Sequence, residues 1–585
     1  TEKLIEFDYK QGGWQWSIEG IAARGFTDNV VELLAEKIQK LPPTTQQALQ
    51  LAACVGNQFD LDKLANVYKK SPQETAADLR EAVAEGLILP LGNSGNVELV
   101  LIYRESFNDS LPITHYRLPE YKFAHDRIQQ AAYSLIPASS KQAVHKQIGQ
   151  LLLQNTPPSQ REQKIFDILN QLNFGIELIN VQSERDELAE LNLIAGKKAK
   201  ASAAYQPAFN YLNIGIELLN KEKPGFSSWE TQYNLTLALY VEAAEAAYLS
   251  GNFEEMTRLT EVVLQEAQVL LDKVKIYEVK IQACIAQNKL LEAIKTALQV
   301  LKLLGVRLPE KPNKLNILLA LLGTKLALVG KRIDDLIELP IMTDPIKLAA
   351  MRILSSIVTA TYFAVPELMP LIVFKQVNLS LKHGNASESC HAYGVYGLIL
   401  CGVVGDIDSG YQFGQLASSL VSRLNAENIK ARTFGIVNGS VNHWKEHLNI
   451  SLKHLLEAYQ SGLETGDLEY AAYAVWSYSS FSYFMGKELT IVEREMATYS
   501  DTIDKFKQQT ALNYYKMYHQ VVLNLLGSSN NPSRLAGESY VEETMLPLHQ
   551  RANDKTAICF LYINKLRLSY LFHEYAEAVE NSAIV

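Results

Sequence analysis

At 585 residues the chain is longer than one hydrophobic core usually organises, so several domains or a repeat array are expected. Its composition, 48% hydrophobic and 20% charged with a mean hydropathy of -0.05, excludes wholesale disorder and supplies enough apolar material for a large core. A formal charge of -9 and a pI near 5.8 argue against binding to a phosphate backbone, so no nucleic-acid partner is expected.

In chain order, residues 1–27 read as an extended linker, with neither the basic start nor the apolar block of a signal peptide. DNVVELLAEKIQK then places Val30, Leu33, Leu34 and Ile38 on one helical face, with Asp28 as N-cap. A second helix runs from Pro43 to about Val55 and a third from Asp60 to Lys69. Ser71 opens a fourth with Glu74 three residues on, a capping box, and Gly86 ends it. The period then becomes that of strands at LILPL and YKFAH, which flank a polar stretch long enough for a wing, and DRIQQAAYSLI closes the domain as a helix. Residues 28–155 therefore read as a small winged-helix-like α+β domain. The helix that would enter a DNA groove carries Glu74, Asp78, Glu81 and Glu85 against Arg80 alone, so phosphates would repel it; a DNA-binding transcription regulator is the weaker reading.

The strings TDNVVELLAEKIQKLPPTTQQALQLAACVGNQFDLDKLA, EGLILPL and FAHDRIQQAAYSLIP resemble the winged-helix part of the STAND-type ATPase module of very large cyanobacterial and fungal signalling proteins. The resemblance implies a place behind a serine/threonine-kinase-like domain and ahead of a GAF sensor and a histidine kinase. It implies ATP or ADP bound by an upstream ATPase core, and neighbouring ATPase, GAF and kinase domains as partners. It further implies that His125 contacts the phosphate of bound ADP while Asp126 caps the following helix. On the residues alone, His125 could equally be a half-buried strand-end residue. The core itself needs GxxxxGK followed by Ser or Thr. Gly196-Lys197, Gly330-Lys331 and Gly486-Lys487 lack both the earlier glycine and the hydroxyl, so no catalysis and no cofactor are expected within this chain.

From 156 to the end the periodicity is helical, with small residues recurring after turns, the pattern of tetratricopeptide-like pairs. Half-motifs stand at 251–264, 288–301, 405–418, 466–476 and 573–583, with Met256, Ala293, Gly410, Ala471 and Ala578 where paired helices cross; Gly196 and Ala208 form an earlier pair. The expected fold is all-α: a solenoid preceded by the winged-helix-like domain, with a surface for a protein or peptide ligand and self-association left open. Both ends read as cut from a longer chain. The tyrosine-rich runs WSYSSFSYF and LNYYKMYHQ suit interfaces and inter-helix core alike, and core is preferred.

The apolar stretches 316–329 and 353–374 are broken by Lys325 or by Pro366 and Pro370, and read as buried helices instead of membrane spans. Five scattered cysteines without a CxxC pair fit a reducing, cytoplasmic setting. His443, Glu446 and His447 spell HxxEH, which on one helix face would bind zinc in a metal-dependent hydrolase; no third ligand is evident, and an exposed helix face is preferred. His383, Cys390, His391 and Cys401 match no zinc spacing and read as core.

Overall fold

A computed structural model describes residues 5–8, 13–16, 30–91, 120–220 and 227–585. The chain divides into two units, Thr1–Leu191 and Asn192–Val585.

In the first unit β1 (Ile5–Asp8) and β2 (Gly13–Trp16) form an antiparallel hairpin. Helix α1 (Val30–Gln39) follows, then α2 (Pro43–Val55). The buried face of α1 runs through Val31, Leu34, Ala35 and Ile38, whereas Val30 and Leu33 are exposed, a rotation from the expected face. The expected cap Asp28 and the wing at 92–119 lie outside the described residues. Strand β3 (Gln58–Asp60), unforeseen in the sequence, leads into α3 (Leu61–Tyr68), which Asp60 caps. Helix α4 (Pro72–Ala84) begins with the Ser71/Glu74 capping box, and β4 (Ile88–Leu91) follows.

Strand β5 (Glu120–Phe123) lies between β3 and β4, antiparallel to both. It turns Tyr121 and Phe123 into the core on either side of Lys122, and Phe59 of β3 stacks on Tyr121 with centroids 5.8 Å apart. That aromatic contact explains why a three-residue strand joins the sheet. Helix α5 (Asp126–Ser134) is packed on α1 and α2, and α6 (Ala138–Gln154) completes the core. This unit continues past residue 155. His145 of α6 bonds Gln171 at 2.7 Å, and the Gln171 amide donates to the Cys54 carbonyl at 2.8 Å, so helices between 156 and 191 pack onto the first unit.

The second unit consists of helix pairs joined by short turns. A residue in the left-handed conformation stands at each of five junctions: Gly251, Asn288, Gly405, Gly466 and His573. Small side chains then let the paired helices approach: a Cβ on Gly410 would lie 2.8 Å from the Gly397 carbonyl oxygen, and one on Gly462 2.8 Å from Ala471 Cβ. The five turns, Gly410 and Ala471 are half-motif positions read from the sequence, whereas Gly462 on the facing helix is not; the all-α fold follows from the repetition of such pairs.

The apolar stretches divide. Helix α7 (Lys314–Leu328) is capped reciprocally by Asn313 and Asn316. It docks by one face only, where buried Thr324 accepts from Asn378 Nδ2 at 2.9 Å. Leu315, Leu318, Leu319, Leu322 and Leu326 are exposed, so the expectation of a buried helix is corrected. A helix apolar all round ordinarily signals burial; here only the Ile317, Ala320, Thr324 and Leu328 side is covered. The second stretch is buried as expected, in α8 (Pro345–Ser356) and α9 (Val358–Ala364). Pro345–Ala364 is long and apolar enough to cross a membrane by length and composition, but a break at Ile357 splits it and 72% of its apolar window is buried in the fold.

Candidate functional site

The junction singled out in the first unit is built by β5 running into α5. Extended backbone at His125 (φ -154°, ψ 147°) turns its ring back over the first helical turn, where Nδ1 accepts the Arg127 N–H at 3.1 Å. His125 is thus the N-cap itself. Asp126, expected to cap, is the first helical residue and accepts from Asn57 Nδ2 at 2.8 Å. The reason is steric economy: the residue before the first helical one reaches the free N–H groups, and imidazole Nδ1 can do so as an Asp oxygen would. With Nδ1 accepting, the proton of the neutral ring lies on Nε2, and the exposed side chain presents that N–H as a donor. In α4 Asp78 pairs with Lys70 at 2.7 Å and Glu74 serves the capping box, and just past its end Glu85 pairs with Lys37 at 2.9 Å.

The HxxEH residues are not arranged on one helix face. His443 lies in a short turn, Asn442–Trp444, and packs against Phe481. Glu446 accepts from the Tyr411 hydroxyl at 2.5 Å, and His447 caps the helix Leu448–Thr465 through Nδ1. The chain changes direction between the two histidines, because a helix cannot continue through an N-cap. Among the described residues no group of three His, Cys, Asp or Glu side chains is placed to hold a metal.

His391 and Cys390 are buried, as the core reading required, but His391 belongs to a polar centre that the sequence did not reveal. It lies on α10 (Ser387–Ile399), bonded to Ser355 at 3.2 Å and to the Tyr470 hydroxyl at 3.1 Å. That hydroxyl also meets Thr359 Oγ1 at 2.7 Å. Beside it Arg432, on α11 (Glu427–Ile436), pairs with Asp467 at 2.8 Å and lies over the Tyr470 ring. Burial, aided by the Arg432 charge, pushes the His391 pKa well below its usual value, so the ring is neutral. Burial also lifts the Glu469 carboxyl to about 7, against a weaker opposing pull from Arg432.

Tyr470 and Glu469 begin α12 (Leu468–Phe484). From Tyr470 onward one face of α12 contributes seven side chains to a cavity of about 210 Å³. Opposite it stand Phe363 of α9, Tyr518 of α13 (Gln509–Leu525) and Phe560 of α14 (Lys555–Leu571). Gly435 and Gly439 form part of the wall, the latter in a π-turn, Val437–Val441, where the helix widens. The only sequence signal was the tyrosine-rich run around Trp476, and its helical spacing is the same for core and for cavity wall.

No family model matches the chain. Hybrid signal transduction histidine kinase G of Dictyostelium discoideum is 27% identical over 596 aligned residues, covering 93% of this chain and 17% of that protein. The peroxide stress-activated histidine kinase mak3 of Schizosaccharomyces pombe is 22% identical over 267 residues, covering 44% of this chain and 10% of that protein. The chain thus spans less than a fifth of either curated relative, and both are histidine kinases. A solved signal transduction ATPase with numerous domains, carrying a tetratricopeptide repeat sensor, from Pyrococcus horikoshii covers 91% of this chain and 68% of its own at 12% identity, with a TM-score of 0.35.

Proposed function

We propose that the chain is a non-catalytic regulatory segment of a multidomain cytoplasmic signalling kinase, in which the first unit couples to nucleotide and the helical unit receives a signal or partner. The observation that carries this reading is the alignment of 93% of the chain to less than a fifth of a hybrid histidine kinase. The parent protein would be a histidine kinase, with a serine/threonine-kinase-like domain and a GAF sensor among its neighbours, and its ATPase core would hold ATP or ADP.

The first unit acts as a winged-helix lid. The helices packed around its three-stranded sheet support that role, and so does the exposed His125 ring, with Nε2 as its donor, at a helix N-terminus, where an ADP phosphate would be met by aligned N–H groups. Exchange of ADP for ATP would then shift the balance between two packings of the parent's domains and release the kinase. The net charge of -9 supports a reading without nucleic acid.

Calorimetric titration of ADP into a longer chain that restores the upstream residues tests this. Binding there, absent from the 585-residue chain and weakened tenfold or more by His125→Ala, is the expected result. Unchanged ADP affinity in His125→Ala would sink the sensing role.

A further inference from the structure

Helix α7 has two apolar faces, and the fold uses one of them. Its back is packed down: Ile317, Ala320, Leu321 and Leu328 touch the core, and the Thr324 hydroxyl accepts from the Asn378 amide of the helix Met369–His383. On the other side Leu315, Leu318, Leu319, Leu322 and Leu326 are each between 48% and 72% exposed, and Val329 continues the row at 74%. Steps of three and four residues set these side chains on one stripe, a contiguous apolar surface of the kind that marks contact with a partner or a membrane. A surface helix ordinarily turns polar residues to water, and leucine held there contributes nothing to folding.

Charge decides between the two. The chain as a whole is at -9, yet residues 311–333 hold Lys311, Lys314, Lys325, Lys331 and Arg332 and no Asp or Glu. The four lysines have no ion-pair partner among the described residues, and Arg332 reaches only Asp334, at 3.9 Å with both groups more than three-quarters exposed. Lys314 and Lys325 stand four and seven residues from Leu318, along one edge of the stripe. Along the other edge a groove of about 340 Å³ opens beside Asn316 and Leu319, with Lys375 in its wall. Lysine stems cover apolar surface while their ammonium groups reach outward, the arrangement of a helix lying in a lipid interface. A second copy seated on this face would instead set like charges together, with no carboxylate between Glu310 and Asp334 to answer them.

We infer that α7 is a membrane-contact element: its exposed leucines enter the interface of an anionic bilayer, and the lysines around them meet lipid phosphates. The fifteen residues of α7 extend about 22 Å, short of the roughly 30 Å hydrocarbon core, and the fold holds its back, so the helix lies along the surface and does not cross it. The contact goes beyond the regulatory reading, which neither requires nor forbids it.

Co-sedimentation of the 585-residue chain with vesicles tests this. Vesicles of phosphatidylcholine with about a third phosphatidylserine should bind the chain about tenfold or more tightly than phosphatidylcholine alone. Salt at about 1 M, where the screening length falls to about 3 Å, should remove most of that preference. Leu322→Gln with Leu326→Gln should weaken binding to both vesicles about tenfold, while Lys314→Ala with Lys325→Ala should reduce the anionic preference alone. Should the glutamine pair disturb folding, Leu322→Trp in the otherwise native chain reads the same face: anionic vesicles should shift its fluorescence to the blue, a shift absent from the parent chain. No binding to anionic vesicles, binding untouched by the α7 variants, or no fluorescence shift would overturn the contact. An unbound chain that sediments as a dimer, and that the glutamine pair dissociates, would give the face to a second copy. None of those results would alter the ADP dependence of the longer chain, so this inference and the regulatory reading fail separately.

Discussion

Two tyrosines one turn apart on α12 have opposite surroundings. Tyr470 has its hydroxyl bonded to Thr359 and His391 and its ring under the Arg432 guanidinium. Tyr473 has its hydroxyl buried with no partner among the described residues. Both phenols are held neutral, chiefly by burial, so the difference between them is one of hydrogen bonding and not of charge. The helix thus changes task along its length: its start closes a structural polar centre, and its continuation lines a cavity. A polar group paired inside the fold contributes to stability, whereas one left unpaired costs about 1–3 kcal/mol and is retained where it serves something else.

The largest expected effect lies at the structural end. Arg432→Met leaves Asp467 buried and unpaired, and urea denaturation should show a loss of about 3–5 kcal/mol. A loss under 1 kcal/mol would mean that this centre is not what stabilises the start of α12.

Glu469 gives a smaller effect with a distinctive pH dependence. Its folded pKa is raised to about 7 from the ordinary 4.5 of a glutamate, so the folded state holds a proton that the unfolded state has released between those values. Its contribution is fully present below 4.5 and is lost as pH rises through 7. Glu469→Gln should therefore gain stability relative to the parent sequence at pH 8, on the order of 2 kcal/mol more than at pH 4. His391 is present in both proteins, so the difference isolates the carboxyl. Equal changes at the two pH values would contradict the assignment.

What the sequence disclosed follows the range of the interactions. The Ser71/Glu74 box, the turn residues from Gly251 to His573 and the small crossing residues act within a few positions, and each was readable. His125 was located, but its capping role was assigned to Asp126, because the choice between neighbours depends on a ring rotamer. Helix α7 misled because an all-round apolar pattern does not say which face another helix covers. HxxEH misled because spacing implies one helix face only if the helix is continuous, and a cap at His447 interrupts it. The cavity was not readable at all: its wall is drawn from residues between Val358 and Phe560, and Tyr473 and Trp476 have the same helical spacing as core.

The most direct measurement is urea denaturation, without ligand, of Tyr470→Phe beside Tyr473→Phe. Tyr470→Phe removes a hydroxyl that two partners use and should destabilise by about 1–2 kcal/mol, while Tyr473→Phe relieves an orphan and should stabilise by about 1 kcal/mol. Opposite signs would establish that one helix closes a paired polar centre at its start and holds an unpaired hydroxyl where it lines the cavity. Destabilisation by both, in equal measure, would make the cavity wall ordinary core and contradict the account.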